Sequence, residues 1–328
     1  MKNYWIIFLF LGGCHQGEIY RYAEGKIYGT YYHISYAGTD DLQAELQEQM
    51  ELVNASLSMF NSRSVISAIN RNESDSTDRL FRRMFQMALK INEVTAGAFD
   101  ITVGPLVNAW GFGFKRTAFP DSLRIDSILR FVGMNKLELK DNRLLKQFPE
   151  ITLDASSIAK GLGVDLAAEY LESQGIENYM VEIGGEVRVK GISSKKRPWR
   201  IGIDRPEDDV TAADQQLQMI LGLTSGALAT SGNYRNFYIH EGKKYAHTLN
   251  PKTGYPVQTE VLSASVYAAS CMEADAYATA FMVLGLQQAK EIIETQPQLE
   301  GCFIYLENGK IKTWISAPLQ EKIIQEGR

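Results

Sequence analysis

Runs that read as β-strands recur along the whole chain, interleaved with runs whose apolar residues return every three or four positions, so the chain must pack helices against a sheet. Residues 27–36 and 199–203 alternate, the first rich in aromatic and β-branched side chains. Residues 179–190 form a strand interrupted at Gly184-Gly185. Residues 217–223, 237–240 and 261–269 add further strands, and residues 301–306 and 311–315 pair as a hairpin about Asn308-Gly309. Asp40-Asp41 opens a helix whose Leu42, Leu46, Met50, Val53 and Leu57 share one face. Asp78 starts another that carries Leu80, Phe81, Met84, Phe85, Ala88 and Ile91. Helices are also predicted over residues 121–132, 157–174, 272–284 and 287–294. No tandem repeat or low-complexity linker offers a cut point. The expected fold class is therefore α+β: a single compact domain over residues 24–328, with antiparallel strands and helices packed outside.

A chain of 328 residues, 45% hydrophobic and 22% charged, can build its core without disulfides and shows no sign of disorder. A net charge of -5 and the lack of a basic stripe interleaved with aromatics argue against a nucleic-acid partner. The N-terminus differs from the rest. Lys2 precedes an apolar run over residues 4–11 that is too short to span a bilayer and suits the core of a secretory signal. Leu11-Gly12-Gly13-Cys14 resembles the lipobox of bacterial lipoproteins. That resemblance implies a signal peptide over residues 1–13, lipid on the Cys14 thiol, a tether over residues 14–23 and an exported protein anchored to a membrane. Cys271 and Cys302 lie in apolar sequence without metal-ligand spacing, as buried thiols do, and an exported compartment would also permit a disulfide between them.

Four polar, glycine-marked segments stand where strands or loops meet helices. Residues 97–113 set Ala98, Phe99 and Asp100 among glycines and aromatics, which makes either a buried turn or a flat slot for a planar ring. Residues 153–165 start a helix. Asp154 and the serines Ser156 and Ser157 suit its cap, and the exposed N–H groups suit an anion. Capping does not explain Lys160 followed by Gly161 and Gly163; glycines cost helix stability and imply a close neighbour. Residues 247–256 place His247 at a strand end before an Asn-Pro and Lys-Thr-Gly turn, a position equally open to a structural and a catalytic imidazole. In residues 273–280, Asp275 and Thr279 lie one helical turn apart on an otherwise small or apolar face. Each could bond to backbone, or the two could share a hard cation such as Mg²⁺.

In this order the segments resemble those of the ApbE-type flavin transferases, the FAD:protein FMN transferase family. The likeness covers most of the chain beyond the tether. It includes Tyr28-Gly29-Thr30, residues 58–64 with Asn70, residues 181–187 and residues 230–236. The resemblance implies an α+β fold akin to the tunnelling fold, with FAD as substrate. By position, Tyr28 and Phe60 would flank the flavin end, and Ala98, Phe99, Asp100, Asp154, Lys160 and Leu249 would also contact FAD. Asp275, Thr279 and the backbone carbonyl of Ser157 would hold Mg²⁺, and His247 would be the general base. The chain departs from the family where Tyr28 replaces a frequent Met, Phe60 a frequent Tyr, Ala278 an Asp found in some members and Lys160 an acidic residue found in some.

The implied reaction is transfer of FMN from FAD to a Thr or Ser hydroxyl of an acceptor protein, a membrane redox subunit being the usual partner, with release of AMP. Two other functions fit the same residues less fully. FAD pyrophosphatase activity would put water in place of the acceptor hydroxyl. A flavin-binding lipoprotein without catalysis would not need His247 or the Asp275 and Thr279 pair.

Overall fold

The computed structural model describes residues 18–113, 119–206, 217–233, 237–240 and 243–326. In chain order the strands are β1 (Tyr20–Ile27), β2 (Thr30–Ala37), β3 (Leu137–Lys140), β4 (Arg143–Lys146), β5 (Tyr179–Ile183), β6 (Glu186–Lys190), β7 (Trp199–Asp204), β8 (Leu217–Leu223), β9 (Ala227–Gly232), β10 (Phe237–His240), β11 (Lys243–Ala246), β12 (Val261–Ala268), β13 (Glu300–Glu307), β14 (Lys310–Ile315) and β15 (Ile323–Glu326). The helices are α1 (Gln43–Leu57), α2 (Val65–Asn70), α3 (Arg79–Val94), α4 (Gly104–Ala109), α5 (Ser122–Leu129), α6 (Ala159–Ser173), α7 (Cys271–Leu284), α8 (Leu286–Thr295) and α9 (Ala317–Gln320). One large sheet runs β1-β2-β5-β6-β9-β12-β13-β14, every neighbour antiparallel. Helices α6 and α7 pack on one face of it, backed by α1 and α3. The sheet β15-β8-β7 joins Val187, Val189, Leu228 and Ile304 of the large sheet in a second core on the other face. This is the α+β architecture expected, with antiparallel strands and helices outside.

Most helices start where the sequence says they should. Asp78, Asp121 and Ser270 each accept a hydrogen bond from the N–H three residues on, capping α3, α5 and α7. Helix α7 is buried nearly all round, as a helix through the centre of a core must be. Two expectations need correction. Residues 27–36 are not one strand. Tyr28 and Gly29 have φ of 51° and 77°, so both take the left-handed form of a two-residue hairpin turn, and the chain reverses between β1 and β2. The proposed tether also ends too late: Tyr20–Ala23 already pair with Ala37–Ile34, and Ala23 is buried. Cys14 and the signal segment lie outside the described residues. Cys271 and Cys302 are buried free thiols.

The glycines of α6 mark its tightest contacts. A Cβ on Gly161 would stand 2.4 Å from the carbonyl oxygen of Cys271 at the start of α7, and one on Gly163 would stand 2.6 Å from the Tyr28 ring. Asp165, wholly buried one turn later, accepts the N–H groups of both Cys271 and Met272 at 2.9 Å and pairs with Arg188 of β6. Helix α7 is thus held by its first N–H groups against α6. Gly161→Ala is therefore expected to destabilise the fold by about 1–3 kcal/mol despite the better helix propensity of alanine, because the obstacle is backbone. Urea unfolding would measure it, and an unchanged or higher stability would contradict this packing.

Candidate active site

A cleft of about 490 Å³ opens where α6, α7, the β5–β6 turn and the loop after β11 meet. Ala98, Phe99, Asp100, Asp154, Ser157, Lys160, His247, Leu249, Asp275 and Thr279 all line it. Tyr28 and Phe60 do not. They line an adjoining pocket of about 540 Å³ that shares Ser156 and Lys160 with the cleft. Phe60 is 76% exposed there, whereas the Tyr28 hydroxyl is spent on the Met50 carbonyl at 2.5 Å.

Two carboxylates on the α3–α4 and α6 approaches are structural before they are anything else. Asp100 accepts the Thr102 N–H and hydroxyl and the Met134 N–H. Asp154 accepts the N–H and hydroxyl of Ser156 in a turn ahead of α6, which itself starts only at Ala159, so Asp154 does not cap the helix as the sequence suggested. Burial raises the pKa of both, against the pull of these bonds.

The opposite wall carries the charge. Asp275, 3% exposed, accepts the Gly161 N–H at 3.0 Å through Oδ2, and its Oδ1 lies 3.9 Å from the Lys160 ammonium. Lys160 is hydrogen-bonded to Glu186, the first residue of β6. Desolvation works against the ammonium, but Asp275 and Glu186 outweigh it and hold its pKa above the usual value. Burial pushes Glu186 up to about 7 even with Lys160 drawing it down. Sequence reasoning gave Glu186 no role. In sequence it is one more strand residue after Gly184-Gly185, and only the fold shows that those glycines turn with positive φ and that the carboxylate is buried.

The donors expected to hold Mg²⁺ share this wall. Among the described residues no group of three His, Cys, Asp or Glu side chains could bind a metal. The oxygen donors still fit a Mg²⁺ ion that keeps most of its water and phosphate ligands. Because Gly161 gives its N–H to Asp275, the Ser157 carbonyl four residues earlier receives no hydrogen bond among the described residues. Thr279, one turn beyond Asp275, is 3.2 Å from the Ser231 hydroxyl. One carboxylate, one hydroxyl and one free carbonyl therefore face a single cleft.

Across from them, exposed His247 leaves β11 with its ring edge-on to Phe112 at 6.5 Å between centroids. Imidazole, ammonium and hard-oxygen donors about one cleft define a site for phosphate-group chemistry. The comparisons give that class its family. The ApbE family model matches residues 28–303, and the chain belongs to the ApbE family. It is 40% identical over 313 residues to the FAD:protein FMN transferase of Vibrio cholerae serotype O1, covering 90% of this chain and 91% of that one. The Haemophilus influenzae protein of the same name is 36% identical, covering 94% and 93%. A solved structure described as flavin transferase ApbE from Vibrio cholerae matches with a TM-score of 0.84 at 35% identity, over 93% of this chain and 99% of that one.

Lys160→Met leaves two nearly dehydrated carboxylates without their cation, a loss of about 3 kcal/mol at pH 8. The sign with pH follows from Glu186. An acid whose folded pKa is raised binds its proton more tightly when folded, so stability falls as pH climbs from about 4.5 through 7. Without Lys160 that pKa rises further, so in denaturation curves the variant's deficit should shrink as pH falls toward about 7 and level off below it, where Glu186 is protonated in both folded proteins. A deficit independent of pH would contradict the pairing.

Proposed function

We propose that this protein transfers FMN from FAD to a Thr or Ser hydroxyl of an acceptor protein, forming a phosphoester and releasing AMP with the help of Mg²⁺. One observation carries the reading: His247, Lys160 and the three oxygen donors, far apart in sequence, line one cleft beside a mainly apolar pocket lined by Phe60 and Tyr28. The names of the relatives favour the same activity. The acceptor hydroxyl attacks the phosphorus on the FMN side of FAD. A new P–O bond forms, the pyrophosphate P–O bond breaks, and AMP departs with the bonding pair. His247, at the accessible rim, takes the proton from the attacking hydroxyl, which is otherwise a poor nucleophile near neutral pH. Lys160 adds positive potential at the phosphates, held in place by Glu186 and Asp275. Asp275, Thr279 and the Ser157 carbonyl would hold the Mg²⁺ ion, which when bound offsets phosphate charge. The flavin side of the substrate is assigned to Phe60 and Tyr28, and Ala98, Phe99, Asp100, Asp154 and Leu249 to its remaining contacts.

Leu11-Gly12-Gly13-Cys14 supports a further part of the reading: export and a lipid anchor at Cys14, which would hold the enzyme near membrane-bound acceptors.

His247→Ala should bind FAD with wild-type affinity, followed by flavin fluorescence, yet attach FMN to acceptor about 100-fold or more slowly, followed by intact protein mass. Transfer at the wild-type rate would remove His247 as the base. Incubating the wild type with FAD and Mg²⁺ but no acceptor tests the reaction class, since rapid release of free FMN and AMP would make it a hydrolase.

A further inference from the structure

Val283 lines the cleft and also a second groove, of about 860 Å³. On α7 it lies one turn beyond Thr279 and two beyond Asp275, so one helix face runs from the oxygen donors to the groove in steps of about 6 Å. The groove's near wall continues through Leu286 and Gln287 at the start of α8, and Trp110 and Tyr255 stand at its end.

The other wall is residues 257–260, and the register in which the chain enters it is informative. Asn250 donates to the Tyr255 carbonyl, Leu249 bridges Pro256, and Val257 donates to the Thr248 carbonyl. These antiparallel pairs form one short hairpin, and the next pair in the same register is His247 opposite Gln258. At that point the pairing stops. The N–H groups of Gln258 and Thr259 donate no hydrogen bond among the described residues, and their carbonyls accept none. Gln258 is exposed. A backbone with open donors and acceptors beside a groove is an edge to which another chain can add as a strand.

We propose that this groove binds the hydroxyl-bearing segment of the acceptor protein in extended form, paired on the Gln258-Thr259 edge. Its Thr or Ser is thereby delivered past Val283 into the cleft between His247 and Thr279. The inference rests on the FMN-transfer reading and adds how the acceptor is held. A polypeptide is the occupant because the geometry is that of a strand. Side chains of an added strand alternate in direction. When the hydroxyl residue turns into the cleft, its neighbours on either side turn away from it, toward the groove and solvent. Recognition then comes largely from backbone, so it tolerates varied acceptor sequences and demands an unfolded or loop-borne acceptor segment. The same hairpin carries the base on one strand and the docking edge on the other, which fixes the hydroxyl relative to the imidazole.

Two substitutions test this in the full-length protein. Gln258→Pro removes an N–H that has no partner among the described residues, and Gln287→Trp fills the groove from an exposed position. The probe is a pool of short peptides, each with one central threonine and randomised flanks, incubated with FAD and Mg²⁺ and read by mass for added FMN. Both variants should bind FAD within about twofold of wild type, and both should need roughly tenfold more peptide for half-maximal transfer, the worth of a lost hydrogen bond or a blocked contact. Wild-type peptide dependence in both variants overturns the groove while leaving the transfer reading intact. So does a wild-type enzyme that modifies no peptide in the pool but does modify a folded acceptor. A wild type that turns FAD into free FMN and AMP with every acceptor overturns the transfer reading and this inference together. If the wild type sediments as a dimer and Gln287→Trp as a monomer of unchanged transfer activity, the groove is a contact between two copies instead.

Discussion

The hydrogen bond from the Gly161 N–H to Asp275 sets the position of nearly everything else in the cleft. It diverts one amide from the ladder of α6, and the carbonyl that amide would have paired with, on Ser157, is left open to the cleft. The bond needs α6 and α7 closer than any side chain at 161 would permit, since a Cβ there would meet the Cys271 carbonyl oxygen. That approach is held from behind by Asp165, whose carboxylate takes the first two N–H groups of α7 and whose own charge is met by Arg188. Arg188 reaches Glu172 as well, so sheet and helix are tied at the same place. A buried carboxylate with three charge-assisted partners is a stiff joint, and it lies one helical turn from Gly161 on the same helix.

The charge in the cleft is unbalanced in a useful direction. Lys160 faces two carboxylates, Glu186 and Asp275, both almost wholly removed from water. One cation cannot fully satisfy both. Burial, with the Asp275 charge adding to it, makes Glu186 hold its proton more readily than a free glutamate does, even with Lys160 pulling the other way. The deficit favours arrival of a further cation on the Asp275 side, where the unpaired Ser157 carbonyl and Thr279 hydroxyl already lie. Phosphate oxygens would bring negative charge to the same place, so cation and dinucleotide are expected to bind more tightly together than apart.

Much of the architecture could be read from pattern alone: α3 combines clear periodicity with a good cap, α7 is a capped apolar run of helical length, and the β13–β14 hairpin has a clear turn. What escaped had weak local signals. The β1–β2 turn was missed because Tyr28, a bulky aromatic, occupies a left-handed position more often given to Asn or Gly. Strands β3, β4, β9 and β15 were missed because they are short or carry Gly, Ser and Thr, and their place in the sheets comes from neighbours instead of propensity. The site was more legible than the strands. His247, Lys160, Asp275 and Thr279 stood out because a polar group in a small-residue or glycine-rich setting is locally costly and asks for a reason. Glu186 carried no such oddity, since in sequence it looks like an ordinary strand residue; only the fold reveals that its carboxylate is buried against Lys160.

The two walls of the cleft are built in opposite ways. The α6–α7 wall is packed, capped and tied to the central sheet, which would suit the proposed holding of phosphates and an ion at fixed distances. The His247 wall is a hairpin held by a few backbone bonds and by aromatic edges, among them Trp110 donating to the Gly254 carbonyl and stacking edge-on with Tyr255. Movement of the helix seam would break the Asp165 joint, whereas the hairpin has fewer bonds to lose. Proton removal tolerates movement better than phosphate positioning does, because the imidazole must meet the hydroxyl only as attack proceeds. Under the proposed reading, the division puts the less tightly tied wall on the acceptor's side and the rigid wall around the dinucleotide.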